Sequence, residues 1–132
     1  MFQDKEIFIL EILSLVTLDE LEELPVIYEG AMPSLKIFTI MMCETLKMLP
    51  KSYLTIKKLQ KIRVFGCSIV LENLKRLKIE NKKVGVVTMS SMDTTEYFKI
   101  YLQVCSTISG WTYGEFWCHE FFTFMNYCDR ML

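Results

Sequence analysis

The stretch Pro50–Asn81, PKSYLTIKKLQKIRVFGCSIVLENLKRLKIEN, decides how the rest of the chain is read. Leu59, Ile62, Phe65, Gly66, Ile69, Val70, Leu74 and Leu77 recur in it at spacings of three and four residues, which places them on one stripe of an α-helix. Lys57, Lys58, Lys61, Lys75, Arg76 and Lys78 make the other face basic. The expectation is one long amphipathic helix whose stripe needs several neighbours to cover it. Whether residues 52–62 belong to this helix or form a separate short one is open.

With 132 residues, a formal net charge of −1 and 52% apolar residues, the chain is expected to be a single domain over residues 1–132 with one core. The same balance argues against disorder and against a general polyanion binder. Five cysteines lie inside apolar patterns, which indicates free thiols in a reducing compartment and not a secreted disulfide framework. Asp4 and Glu6 interrupt any signal-peptide pattern, no apolar run approaches the ~18 residues of a membrane span, and the ending NYCDRML carries no tail anchor. A soluble intracellular protein is expected.

The neighbouring segments read as further helices. Residues 5–17 present Phe8, Ile9, Ile12, Leu13 and Val16 on one stripe, and Pro25 ends the acidic extension that follows. Pro33 opens a second helix to about Leu49, apolar on nearly every side. A helix of that kind is either enclosed or left open for a partner. Asp93-Thr-Thr-Glu96 and Thr112-Tyr-Gly-Glu115 have the form of capping boxes, opening helices to about Ile108 and Cys128. Val84 to Val87 is either a short extended piece or a tight connection. No internal repeat, low-complexity tract or linker is evident. The resulting fold class is all-α, a bundle of five to seven helices around a central hydrophobic helix.

Little in the sequence points to chemistry. The single histidine, His119, adjoins Cys118, and neighbouring residues on a helix point about 100° apart, so they do not form a Cys–His pair. A thiol enzyme using Cys105, Cys118 or Cys128 is the weaker alternative. No C-x-x-C pair suggests zinc and no glycine-rich loop suggests a phosphate site. No metal, cofactor or nucleic acid is expected, and the protein is read as not an enzyme. What remains is apolar helical surface, suited to receiving a partner helix in a groove.

The run Val64-Phe65-Gly66-Cys67-Ser68-Ile69-Val70 resembles the first homology motif of the Bcl-2 family of apoptosis regulators, with Cys67 where the family has arginine. Trp111, Gly114, Trp117 and Phe121 resemble its second motif and the turn within it, and Phe38 to Glu44 a degenerate third. The order of segments is similar to that of short, divergent viral members of iridovirus type. The resemblance implies a Bcl-2-like helical domain with no membrane anchor, in the host cytoplasm or peripheral at mitochondria through partners. Its implied function is anti-apoptotic: sequestering the amphipathic death-inducing helix of host pro-apoptotic proteins. The implied groove is lined by Phe38, Met41, Met42, Leu46, Leu59, Ile62, Arg63, Phe65, Gly66, Cys67 and Ile69, with Arg63 standing in for the missing arginine. A homodimer through segment 33–49 is a further expectation. The alternatives are the same bundle with an occluded groove, binding an innate-immunity signalling protein, or a plain helical scaffold.

Overall fold

The stretch from Pro50 to Asn81 changes conformation twice. In the computed structural model it makes a 3-10 turn (Lys51–Thr55), then a strand, β3 (Lys61–Phe65), and only then a helix, α1 (Ser68–Glu80). One long helix is therefore incorrect. The Leu59-to-Ile62 step of three imitates a helical step, but the step from Ile62 to Val64 is two. Ile62, Val64 and Phe65 are β-branched or aromatic side chains that pack well on a pleated surface.

The structure describes residues 7–28, 30–80, 83–88, 95, 96, 98, 99, 102, 109–112, 114–118 and 120–131. Besides β3 and α1, its elements are β1 (Ile12–Val16), β2 (Ile37–Met41), β4 (Gly85–Val87), β5 (Ser109–Thr112), β6 (Glu115–Cys118) and α2 (Phe121–Met131). The strands form one sheet in the order β4-β3-β2-β1-β6-β5. All neighbours run parallel except β5 and β6, which form a hairpin. The fold is of α/β type, and the all-α Bcl-2-like bundle of five to seven helices is overturned.

The other helix boundaries fall with it. The 5–17 helix becomes β1 after one helical step at Ile7 and Phe8, and the 33–49 helix contains β2. Both strands are mostly apolar, Ser14 and Thr39 excepted, because a parallel strand covered on both faces has no solvent side to mark with polar residues. Ile40 and Met41 point to opposite faces of β2, and each is almost fully buried. The 112–128 helix is replaced by the β5–β6 hairpin and α2. Gly114, at φ +82°, turns the chain, and its carbonyl accepts hydrogen bonds from the N–H groups of Glu11 and Ile12 at 2.7 and 3.0 Å. The helix expected from Asp93 to Ile108 falls largely outside the described residues; Thr95, Glu96, Phe98, Lys99 and Leu102 within it are helical.

The strand register shows a repeat. Ile12 pairs with Ile37, Ile37 with Lys61 and Lys61 with Gly85, steps of 25, 24 and 24 residues. The connections between strands keep the same step. Glu23 bridges Met48 and the Ile27 N–H donates to Ser52 Oγ (3.4 Å), while the Tyr53 hydroxyl ties the same two legs together by donating to the Pro25 carbonyl (2.6 Å). Each turn of chain thus stacks on the next as a coil, and equivalent side chains form buried ladders: Leu10, Leu35, Leu59; Leu13, Phe38, Ile62; Leu15, Ile40, Val64; Leu18, Cys43, Cys67; and Leu21, Leu46, Val70. The internal repeat is thus present, contrary to the sequence reading. At the β6 end the core is closed by α2, whose Tyr127 ring stacks on Phe116 with centroids 4.4 Å apart.

Candidate functional site

Alternate strand residues face away from this core onto the second face of the sheet. Val16, Met41, Phe65 and Trp117 form a separate buried cluster there. Beside it runs a polar row of in-register residues, Ser14, Thr39 and Arg63, also buried. Arg63 Nε donates to Thr39 Oγ1 at 2.8 Å, and Arg63 Nη1 lies 3.8 Å from Glu96 Oε1. Burial lowers the Arg63 pKa, while the carboxylates of Glu96 and Glu115 work in the opposite direction. Ser14 Oγ, fully buried, has no hydrogen-bond partner among the described residues. The N-terminal ends of the strands are more open. Ile12 and Ile37 are half-buried, flanked in register by exposed Lys61 on one side and half-buried Glu115 on the other.

At the opposite ends of the strands the chain turns through Thr17, Met42 and Gly66. These are repeat-equivalent positions, and all three have positive φ: +49°, +57° and +67°. Just past this turn, Cys43 and Cys67 occupy the same rung of the coil. The Cys43 N–H donates to Cys67 Sγ at 3.2 Å, and the two thiols donate to the carbonyls of Met41 (3.5 Å) and Phe65 (3.3 Å). The neighbouring Cys43 side chain and the Cys43 N–H hold the Cys67 pKa below its ordinary value, while the Cys67 sulfur and burial push that of Cys43 up. An open cavity of about 870 Å³ lies against this turn, with Phe65, Gly66, Cys67, Ser68 and Lys75 in its wall.

The residues assigned to a ligand groove divide among different places. Phe38, Leu46, Leu59 and Ile62 lie in the inner core, out of reach of a ligand. Met41 and Phe65 pack on the second face, Met42 is exposed in its turn, and Ile69 is exposed in the first turn of α1. Arg63 lies within β3 and Cys67 precedes α1, so the two do not share a helical face and Arg63 does not replace an arginine at position 67. Phe65, Gly66 and Cys67 do come together, in the wall of the cavity. Trp111 belongs to β5, Gly114 to the hairpin turn, Trp117 to β6, and Phe121 begins α2. Cys105 and His119 lie outside the described residues.

The sequence singles out Arg63 but neither Ser14 nor Thr39 beside it, and it does not pair Cys43 with Cys67. The row and the pair both become visible when LEILSLVTLDEL (10–21), LKIFTIMMCETL (35–46) and LQKIRVFGCSIV (59–70) are written one under another. The Leu-Pro pairs at 24–25 and 49–50 mark the same step. Among the described residues no group of three or more His, Cys, Asp or Glu side chains is placed to hold a metal ion, and no helix is long and apolar enough to cross a membrane. No protein-family profile, curated protein or solved structure matches this chain.

Proposed function

We propose that the chain is a protein-recognition module built as a short solenoid of leucine-rich-repeat type. The supporting observation is the register of 25, 24 and 24 residues combined with the pattern L-x-x-[LFI]-x-[LIV]-x-x-[LC]-x-x-[LV] in the three stretches 10–21, 35–46 and 59–70. Repeats of roughly 20–29 residues with this leucine spacing bury a face only by stacking on their neighbours. Such stacks present an extended surface of non-core strand positions, the surface these proteins use for binding. Here that surface is the half-open row Glu115, Ile12, Ile37 and Lys61, an apolar centre with a carboxylate at one end and an ammonium at the other. The reading keeps the expectation of a binding protein and discards a helical groove, because the helices that would line it are strands. An apoptotic helix as partner loses its physical basis with the groove. So does a dimer through segment 33–49, whose apolar side chains are mostly spent inside one chain.

The test compares two double variants, each checked for folding by circular dichroism. Ile12→Asp/Ile37→Asp alters the strand row, and Val26→Asp/Tyr28→Asp alters exposed apolar side chains on the returning leg. Protein partners cross-linked to the folded wild type should be lost with the first pair and retained with the second. The opposite outcome overturns the reading.

A further inference from the structure

We propose that Cys43 and Cys67 form a peroxide-oxidisable thiol pair, with Cys67 as the attacked sulfur and Cys43 as the resolving thiol. Three observations carry this. The two residues share one rung of the coil, each two positions after Met41 and Phe65, which are paired in parallel register. Neighbouring chains in such a ladder lie about 4.8 Å apart, inside the roughly 4.4–6.8 Å between Cα atoms that a disulfide spans. The sulfur of Cys67 accepts the Cys43 N–H at 3.2 Å, so its side chain already points at the partner residue. Finally, Cys67, with Gly66 and Ser68, lines the open cavity of about 870 Å³, which gives a small oxidant a route to a sulfur that is otherwise covered.

The pair also has an internal division of labour. The neighbouring Cys43 side chain and the hydrogen bond from the Cys43 N–H favour negative charge on Cys67, while the proximity of that sulfur and burial keep the proton on Cys43. The thiolate is the nucleophile in such chemistry. A lone pair of the Cys67 thiolate attacks one oxygen of hydrogen peroxide, the O–O bond breaks, and hydroxide leaves, giving a sulfenic acid. The Cys43 sulfur then attacks the Cys67 sulfur. The S–O bond breaks, and the departing oxygen leaves as water after taking the Cys43 proton, while the hydroxide of the first step takes up the proton originally released by Cys67. Two thiols and one peroxide become one disulfide and two waters. The other two described thiols, Cys118 and Cys128, are buried, and both have raised pKa values, so they stay inert.

The experiment treats the folded, reduced chain with hydrogen peroxide, blocks remaining thiols after denaturation, and digests with trypsin. The expected product is a cross-link between peptides 37–47 and 64–75, lighter than their sum by two hydrogen atoms. With Cys43→Ser, Cys67 should stop at the sulfenic acid and be captured by dimedone; with Cys67→Ser, neither product should form. Native-state alkylation of the wild type gives a measure independent of any variant, with Cys67 labelled well before Cys118 and Cys128. Absence of the 37–47/64–75 cross-link in folded wild type, or alkylation of Cys118 ahead of Cys67, overturns the proposal.

Discussion

At Thr17, Met42 and Gly66 the coil demands the same left-handed backbone three times and is given a glycine only once. A non-glycine residue in that region carries a steric cost of about 1–2 kcal/mol, and a β-branched one is the worst placed. Thr17→Gly should therefore raise stability by about 0.5–1 kcal/mol in urea unfolding, the gain being trimmed by the extra freedom of glycine in the unfolded chain. Gly66→Ala should lower it by about 1–2 kcal/mol. Its added Cβ would meet Met42 Sδ at 2.6 Å, but that side chain is long and exposed and can move aside, so backbone strain dominates. Two buried thiols make a second prediction at this scale. Burial pushes Cys118 from its ordinary 9.0 to about 11 and Cys128 to about 12. Above pH 9 the unfolded chain loses these protons while the native chain keeps them, so stability falls as pH rises from 9 towards 12 and is untouched by these groups below about pH 8. Cys118→Ala should flatten the alkaline slope, by on the order of 2 kcal/mol at its upper end, in denaturant titrations across that range.

Single elements differ in how much of the fold rests on them. Strand β2 is bonded on both edges and covered on both faces, and Phe38 at its centre packs edge-on against Tyr53 with centroids 5.4 Å apart. Phe38→Ala should cost about 3–5 kcal/mol by calorimetry. The edge strand β4 is half-buried throughout, and Val86→Ala there should cost about 1 kcal/mol or less. The same contrast governs what the sequence alone makes legible. In α1, buried Val70 and Leu74 follow helical spacing, and the stretch from Ser68 was read as helix and is one. In β1 and β2, burial of both faces removed the apolar–polar alternation that identifies a strand, and five residues are too few for periodicity to decide. The β5–β6 turn was misread because Thr112-Tyr-Gly-Glu115 suits a capping box as well as a hairpin; what separates the two is the backbone of Gly114, held against Glu11 and Ile12. The site was less legible than the fold. Phe65, Gly66 and Cys67 were singled out and do line a cavity, but the partner of Cys67 lies one repeat away.

The molecule as a whole is close to one-dimensional between β1 and β4, since each turn of chain touches mainly the turns before and after it. An architecture of this kind tolerates whole units and rejects fractions of them. Inserting a second copy of residues 35–58 between Lys58 and Leu59 keeps every ladder in step with the 24-residue register. That variant should remain folded with a midpoint in denaturant at least as high as the parent. An insertion of half that length should lose cooperative unfolding, because each later side chain then meets the wrong rung.

The return of β6 to the edge of β1 has a consequence for synthesis. Ile12 meets Ile37 after 25 residues but waits for Glu115, 103 positions later, to fill its other side. Contacts that span so much of the chain slow folding, and a strand edge left bare invites pairing with other chains. Until β6 has been made and has reached β1, that edge is half-paired and adhesive. The risk is greatest in the interval between the pairing of β1 with β2 and the arrival of β6.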